Sequence, residues 1–438
     1  MDNYKNVLIY GYGKSGKSIE KLLKIQKVDY KIYDENIKLS GGNYLSKVTK
    51  SELKLFDLIV VSPGVSLNNK SLKLAKSMGI KIIGELEFGY QNINKNLISV
   101  TGTNGKTTTV TLINEILKNK YNSCVAGNIG TPLTDIALNN SDYNCVVCEV
   151  SSFQLETIDQ YKSNINVLLN IGDDHLDRYG NIKKYAKAKF RLFENNTENT
   201  INILNFDDEI TKEWLGKIKG VKYYFSLSNE CKGVYLKDDQ IIVNTSKQKR
   251  VLCKLSEFDF PKLFLEDIMA CVLVSVIMNI DDNSIIKTIK GFQLLQSRVE
   301  KVGEFNGVTY INDSKATNMH AVLACVKSID SDIILMLGGR NKGFNFKNLI
   351  RNLPNNVKSI LCFGECGNAV YKSVIKNSSI QAYILPTLDE AINKAWAIAW
   401  SGSSVVLSPA CASFDEFNSY SERGEFFKNK ILKLGSQK

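Results

Sequence analysis

Residues 99–109, SVTGTNGKTTT, constrain this chain more than any other stretch. They follow an apolar run, residues 97–100, and lead into a helix-like segment, residues 110–118. The glycines let backbone N–H groups approach a phosphate, and a helix start adds partial positive charge. Lys106 is spaced to reach β- and γ-phosphates, and the Thr107 hydroxyl to ligate Mg²⁺. Gly102, Thr103, Asn104, Gly105 and Thr108 complete the loop. Strand, loop and helix in this order predict a grip on a nucleoside triphosphate within an α/β domain. Val100 stands where the commoner GxxxxGKT loop has its first glycine, so a plain strand-to-helix turn is the competing reading.

The same alternation recurs along the chain and predicts parallel sheets. Residues 1–92 hold strands at 7–10, 30–33 and 58–61, with GYGKSG and a helix at 17–24 after the first. Residues 93–296 hold the phosphate loop and apolar strands at 145–150 and 165–171. Residues 200–255 contain short strand-like pieces without a clear pattern. Residues 297–438 hold strands at 308–311, 333–337, 360–363 and 405–407, followed by NDSKATN, GGRNKG, GECG and SPACASFDEF. The expected architecture is α/β in three domains: Rossmann-like, central P-loop ATPase-like, and again Rossmann-like. Ligands in such sheets bind beyond the carboxyl ends of the strands, where these polar clusters lie.

Composition excludes several classes. With 44% hydrophobic and 23% charged residues, the 438-residue chain reads as soluble and globular. The apolar run 268–280 is too short to span a bilayer and reads as a buried helix. The amino terminus lacks the pattern of a secretory signal, so a cytoplasmic protein without membrane insertion is expected. The net charge is +11, but the lysines are dispersed and form no block interleaved with aromatics, which argues against nucleic acid. The ten cysteines are scattered. Cys145 and Cys148 make a CxxC on a strand that points them to opposite faces, which suits core thiols better than zinc or redox chemistry. Disulfides are not expected.

Other motifs carry chemistry less decisively. GYGKSG, with Asp34 ending the next strand, matches a dinucleotide fingerprint; an NAD enzyme, another diphosphate ligand and a bare turn all remain open. Glu149 closes an apolar strand beside the phosphate loop, where it either holds Mg²⁺ or simply faces solvent. Asp173, Asp174, His175 and Asp177 follow the next strand, where they fit either a hard-cation site or a capped helix start. His320, the second of two histidines, reads as structural. Lys187, Lys189 and Arg191 read as the solvated basic face of one helix.

Taken in order, TGTNGKTTT, CEVSSFQLE, NIGDDHLDRYG, YAKAKFRLFEN, INDSKATN, LGGRNKG and SPACASFDEF resemble the Mur ligase family along essentially the whole chain. The first two loops alone would also admit folylpolyglutamate synthases. The resemblance implies a cell-wall ligase that joins D-glutamate to UDP-N-acetylmuramoyl-L-alanine at the expense of ATP, through an acyl phosphate. It implies two Mg²⁺ ions held by Thr107, Glu149, His175 and a carbamylated Lys189, with Lys106 on the phosphates. It implies ATP contacts from Arg298 and Asp313, and UDP-substrate contacts from Lys14, Ser15, Asp34, Ser62, Pro63, Gly64, Asn128 and Ser151. Lys315, Thr317, Lys342, Ser413, Phe414 and Tyr420 match positions around the D-glutamate carboxylates. The implied domains are 1–92 for the UDP substrate, 93–296 for ATP and 297–438 for the amino acid. A monomer is expected.

The chain departs from the family near the adenine. Glu266, Asp267 and Ala270 stand where the family usually has a His-Asn pair and a further asparagine, and Ser297 replaces a histidine before Arg298. An NAD oxidoreductase would leave Lys106, Glu149 and His175 without a task.

Overall fold

The computed structural model describes residues 4–37, 41–139, 142–246, 248–258 and 260–436; the side chain of Asp177 lies outside the described set. Three sheets form. The first comprises β1 (Asn6–Tyr10), β2 (Asp29–Tyr33), β3 (Leu58–Val61) and β4 (Lys81–Gly84), all parallel, in the order β2-β1-β3-β4. β1 and β3 are apolar throughout their interior and buried on both faces, as parallel strands must be. GYGKSG turns β1 into helix Lys14–Gln26. A Cβ on Gly16 would stand 2.1 Å from the Gly11 carbonyl oxygen, so that helix can sit this close to the strand only without a side chain there.

The second sheet has nine strands: β5 (Asn96–Thr101), β6 (Ser123–Gly127), β7 (Cys145–Glu149), β8 (Ile165–Leu168), β9 (Ile201–Asn205), β10 (Val221–Ser226), β11 (Gly233–Lys237), β12 (Gln240–Asn244) and β13 (Lys249–Lys254). Their order is β13-β12-β11-β10-β9-β8-β5-β7-β6. The stretch that sequence left unassigned is a parallel continuation followed by an antiparallel meander, β11-β12-β13, at one edge. β8 ends at Leu168 rather than at residue 171, because the Asn170 carbonyl turns to accept from Thr103 N–H of the phosphate loop, 2.9 Å away.

The third sheet comprises β14 (Glu300–Phe305), β15 (Val308–Asn312), β16 (Asp332–Gly338), β17 (Val357–Phe363), β18 (Gln381–Leu385) and β19 (Ser403–Ala410), ordered β14-β15-β19-β16-β17-β18. Only β14 runs antiparallel. Two apolar layers, around Leu335 and Val406 on one face and Met336 and Leu407 on the other, cover it. Contacts group the chain into two compact units: Met1–Ile171, Ala186–Phe258 and Glu266–Gly291 in one, Gly172–Tyr185, Asp259–Leu265 and Phe292–Lys438 in the other. Among the described residues no helix is long and apolar enough to cross a membrane.

Candidate active site

Strand register assembles the phosphate site. β5 delivers the loop to helix Lys106–Leu117, with Gly102 at φ +158° and Gly105 at φ +84°. Gly105 is the residue before the helix, and its left-handed backbone is one that a side chain would strain. β7 lies beside β5 with Val100 opposite Glu149, and β6 lies beside β7 with Gly127 opposite Glu149. That register puts Glu149 between the loop and Asn128. The Thr107 hydroxyl donates to Glu149 Oε2 at 2.7 Å, and Asn128 Nδ2 donates to Oε1 at 2.8 Å. Glu149 is 2% exposed, so these bonds hold a buried carboxylate in one orientation.

Two cations meet at the loop. Lys106 Nζ donates to the carbonyls of Gly102, at 2.8 Å, and Thr103, at 2.9 Å. Lys189 Nζ also donates to Gly102 O, at 2.8 Å. Two nitrogens on one oxygen lie less than about 6 Å apart, and like charges at that range repel appreciably. The basic-face reading is therefore corrected for Lys189. Lys187 is exposed, but Lys189 is 1% exposed, because helix Ile182–Phe190 turns position 189 inward toward the loop. Arg191, past the end of that helix, is half-buried and donates to the carbonyls of Leu155, Glu156 and Ile158 as well as to Glu194. Asn170 was missed: its side-chain oxygen accepts from Asn104 N–H at 2.9 Å, and its position just past a strand beside β5 was the available signal. Thr108 is buried within the first turn of the helix.

Of the departing residues, Asp267 is buried against the loop, where a Cβ on Gly105 would meet its carboxylate at 2.0 Å. Burial raises the Glu266 carboxyl, and Asp207 and Asp208 add to that effect. Ala270 is fully buried.

The first sheet's candidates cluster at the end of β1. Tyr12 N–H donates to Asp34 Oδ2 at 2.6 Å, and Asn36 and Ile37 N–H donate to Oδ1. Burial works against the Asp34 carboxylate, but these three donors hold it below its ordinary range. Ser62 Oγ donates to Gly11 O at 2.9 Å, with Pro63 and Gly64 following on the same loop. Lys14 donates to the carbonyl of Gly130, two residues past Asn128, while Ser15 lies in the first turn of its helix. Ser151 instead caps the short helix Ser152–Leu155 reciprocally with Gln154.

In the other unit, adjacent strand ends bring the third-sheet loops together. Asp313 follows β15, residues 411–413 follow β19, and residues 339–342 follow β16. Lys342 Nζ lies 3.4 Å from Thr317 Oγ1, to which it donates, and 3.7 Å from Asp174 Oδ1. Asn318 Nδ2 donates to Asp174 Oδ2 at 3.3 Å, and His175 N–H to Oδ1 at 2.8 Å. Asp174 thus serves as a hub for Lys342, Asn318 and His175, a role sequence did not assign it. His175 has φ 51° and precedes the turn Leu176–Tyr179. Among the described residues no three His, Cys, Asp or Glu side chains are grouped to hold a metal.

Lys315 Nζ donates to Tyr420 Oη at 2.7 Å and sits 4.2 Å from that ring's centre. Ser413 is buried and Phe414 is 61% exposed. Burial lifts the Asp313 carboxyl to about 7, against the Ser408 hydroxyl and the charge of Arg298. Ser297, beside Arg298, adopts φ 59°. His320 is exposed, with its ring against Gly172.

Three family models match in succession: the MurD-like N-terminal domain of Mur ligases at residues 5–84, the Mur ligase middle domain at 100–266, and the Mur ligase glutamate ligase domain at 297–411. Proteins named UDP-N-acetylmuramoylalanine--D-glutamate ligase from Thermoanaerobacter sp. and Natranaerobius thermophilus are each 36% identical to the chain. The first match covers 98% of both chains and the second 100% of both. The chain belongs to the Mur ligase family. It is an ATP-dependent ligase of peptidoglycan synthesis. The Mur ligase fold is also seen in solved structures. A pseudomurein peptide ligase type C from Methanothermus fervidus has TM-score 0.63 at 18% identity, covering 98% of this chain and all of that one. A MurF ligase from Thermotoga maritima in complex with ADP has TM-score 0.61 at 16% identity, covering 98% and 96%.

Proposed function

We propose that this Mur ligase joins D-glutamate to UDP-N-acetylmuramoyl-L-alanine through an acyl phosphate. The observation that carries the chemistry is Lys106 Nζ on the loop carbonyls of Gly102 and Thr103, beside the Thr107–Glu149–Asn128 chain. Phosphoryl transfer needs positioning and charge neutralisation more than covalent help, and this is a cradle of that kind. Lys106 shifts from the loop carbonyls to the γ-phosphate as the substrate carboxylate attacks it. The amine of D-glutamate then displaces phosphate from the acyl carbon through a tetrahedral intermediate. The oxygen-rich donor set suits a hard cation: Thr107, Glu149, His175 and a Lys189 carbamate would hold two Mg²⁺ ions, which neutralise charge on the transferring group.

The remaining roles follow the same reading. Lys14, Ser15, Asp34, Ser62, Pro63, Gly64, Asn128 and Ser151 bind the UDP substrate. Arg298 and Asp313 bind ATP together with the loop. Lys342, Thr317, Ser413, Lys315, Tyr420 and Phe414 receive D-glutamate, whose two carboxylates call for cationic and hydroxyl donors. The enzyme acts as a cytoplasmic monomer; light scattering at twice the chain mass would contradict that. The deciding assay is phosphate release from ATP that requires both UDP-N-acetylmuramoyl-L-alanine and D-glutamate. Release with only one of them, or with a folate in their place, would overturn the reading. Tight NAD binding without binding of the UDP-sugar would return GYGKSG to an oxidoreductase.

The Lys189 carbamate is supported by charge. An ammonium buried near Lys106 is repelled by it; reaction of the neutral amine with CO₂ gives an anion with two oxygen ligands. Carbon-13 bicarbonate should label the protein, and Lys189→Arg should lose both label and activity. Turnover without a carbamate signal would show that Lys189 stays an ammonium.

A further inference from the structure

We propose that Cys366 and Cys411 are an oxidisable pair whose disulfide loosens the amino-acid pocket of the third sheet; its effect on D-glutamate rests on the function proposed above. The two sulfurs lie 3.3 Å apart and are 45 residues apart in sequence. Both residues are free thiols, buried in the layer around Leu335 and Val406. A disulfide of about 2.05 Å needs the sulfurs to close by only about 1.2 Å.

That movement reaches loops that matter. Cys366 N–H donates to Gly339 O at 3.0 Å. Arg340 and Ala412 exchange both backbone hydrogen bonds, at 2.8 and 3.0 Å. The turn holding Cys366, the loop carrying Lys342 and the loop carrying Ser413 are therefore one hydrogen-bonded assembly. It has little slack. A Cβ on Gly339 would stand 2.3 Å from Ala412 O and 3.2 Å from the Cys411 Cβ. Ala410 already occupies left-handed backbone at φ 62°. Buried Arg423 donates to both Cys411 O and Ser314, tying the loop to the strand end before Lys315. Close-packed interiors transmit such shifts, and a displacement of about 1 Å at a positioned site can cost a hundredfold in rate.

The chemistry needs an oxidant, here hydrogen peroxide. The Cys366 sulfur attacks one peroxide oxygen, the O–O bond breaks, and a sulfenic acid and one water result. The Cys411 sulfur then displaces the sulfenic oxygen, the S–S bond forms, and a second water leaves. Two electrons pass from the thiols to the peroxide. The contact with Cys366 and burial hold the Cys411 thiol well above its usual range, so Cys411 stays protonated and the pair answers sustained rather than fleeting oxidant.

The test uses the full-length enzyme treated with hydrogen peroxide, alkylated and digested with trypsin. A linked peptide pair joining residues 359–372 to residues 395–423 is expected. Cys366→Ser should abolish it; a link that persists through Cys362 would overturn the assignment, as would no link at all in the oxidised wild type. Oxidised enzyme should show a KM for D-glutamate raised tenfold or more, restored by dithiothreitol, with the KM for ATP little changed. Cys366→Ser should keep its activity and resist peroxide. A linked enzyme with unchanged KM for D-glutamate would refute the coupling. Reduced enzyme that never uses D-glutamate would refute the function proposed above, while the peptide link would still report on the thiols.

Discussion

Replacing Lys106 by methionine removes a charge while keeping most of the side chain's bulk, and it should separate catalysis from stability. Two effects oppose each other in the resting protein. Lys106 Nζ makes hydrogen bonds to Gly102 O and Thr103 O at 2.8 and 2.9 Å. Charge-assisted bonds of this kind contribute roughly 1.5 kcal/mol each, or about 3 kcal/mol for the two. Against this, Lys189 Nζ sits on the same Gly102 oxygen, and in protein depleted of CO₂ it is an ammonium. At less than about 6 Å and an effective dielectric constant of about 20, the repulsion is also about 3 kcal/mol. The two cancel, so Lys106→Met should leave the melting temperature within about 3 °C of wild type. The transition state has no such compensation. Losing a cation from the transferring phosphoryl group should cost about 4 kcal/mol, a thousandfold in kcat. Differential scanning calorimetry on CO₂-depleted protein measures the first, and phosphate release after bicarbonate is restored measures the second. Near-normal turnover would refute the phosphate role, and a melting temperature lowered by tens of degrees would refute the charge balance.

Lys342→Ala should raise the KM for D-glutamate far more than that for ATP; equal effects would argue against a pocket built on Lys342 and Thr317. Asp313 gives a pH signature. Its folded carboxyl titrates near 7 against an ordinary 3.8, so the native state holds a proton that the unfolded chain releases. The stability it contributes is fully present below about pH 4 and lost as pH rises toward 7, and Asp313→Asn should flatten that decline in pH-dependent denaturant melts. On the reading that Ala270 stands where the family usually has an adenine-contacting asparagine, the chain lacks a base-edge hydrogen bond worth about 1 kcal/mol. GTP should then support turnover closer to ATP than is usual in the family; strict ATP preference would mean that other groups read the base.

The phosphate loop, the parallel sheets and Glu149 were legible in sequence because each depends on neighbours along the chain. A glycine needed before a helix, an apolar strand and a carboxylate at its end are local patterns. Residues 200–255 were not legible, since β10 to β13 are short strands at one end of the sheet, whose pairing is set by the sheet they extend. Lys189 shows the limit most clearly. Its segment has the spacing of a solvated basic face, and only docking of that helix against the loop buries it. Asp174 reads as one more carboxylate in DDHLD until Lys342 and Asn318, more than a hundred residues away, arrive at it. Cys366 and Cys411 are unremarkable in sequence and meet because β17 and β19 both flank β16. The sequence by itself determined the fold class, the family and the strand ends that carry the polar loops, because those are written in local spacing. Tertiary structure alone decided which of those ends face one another, because strand order and register, rather than distance along the chain, bring side chains within reach.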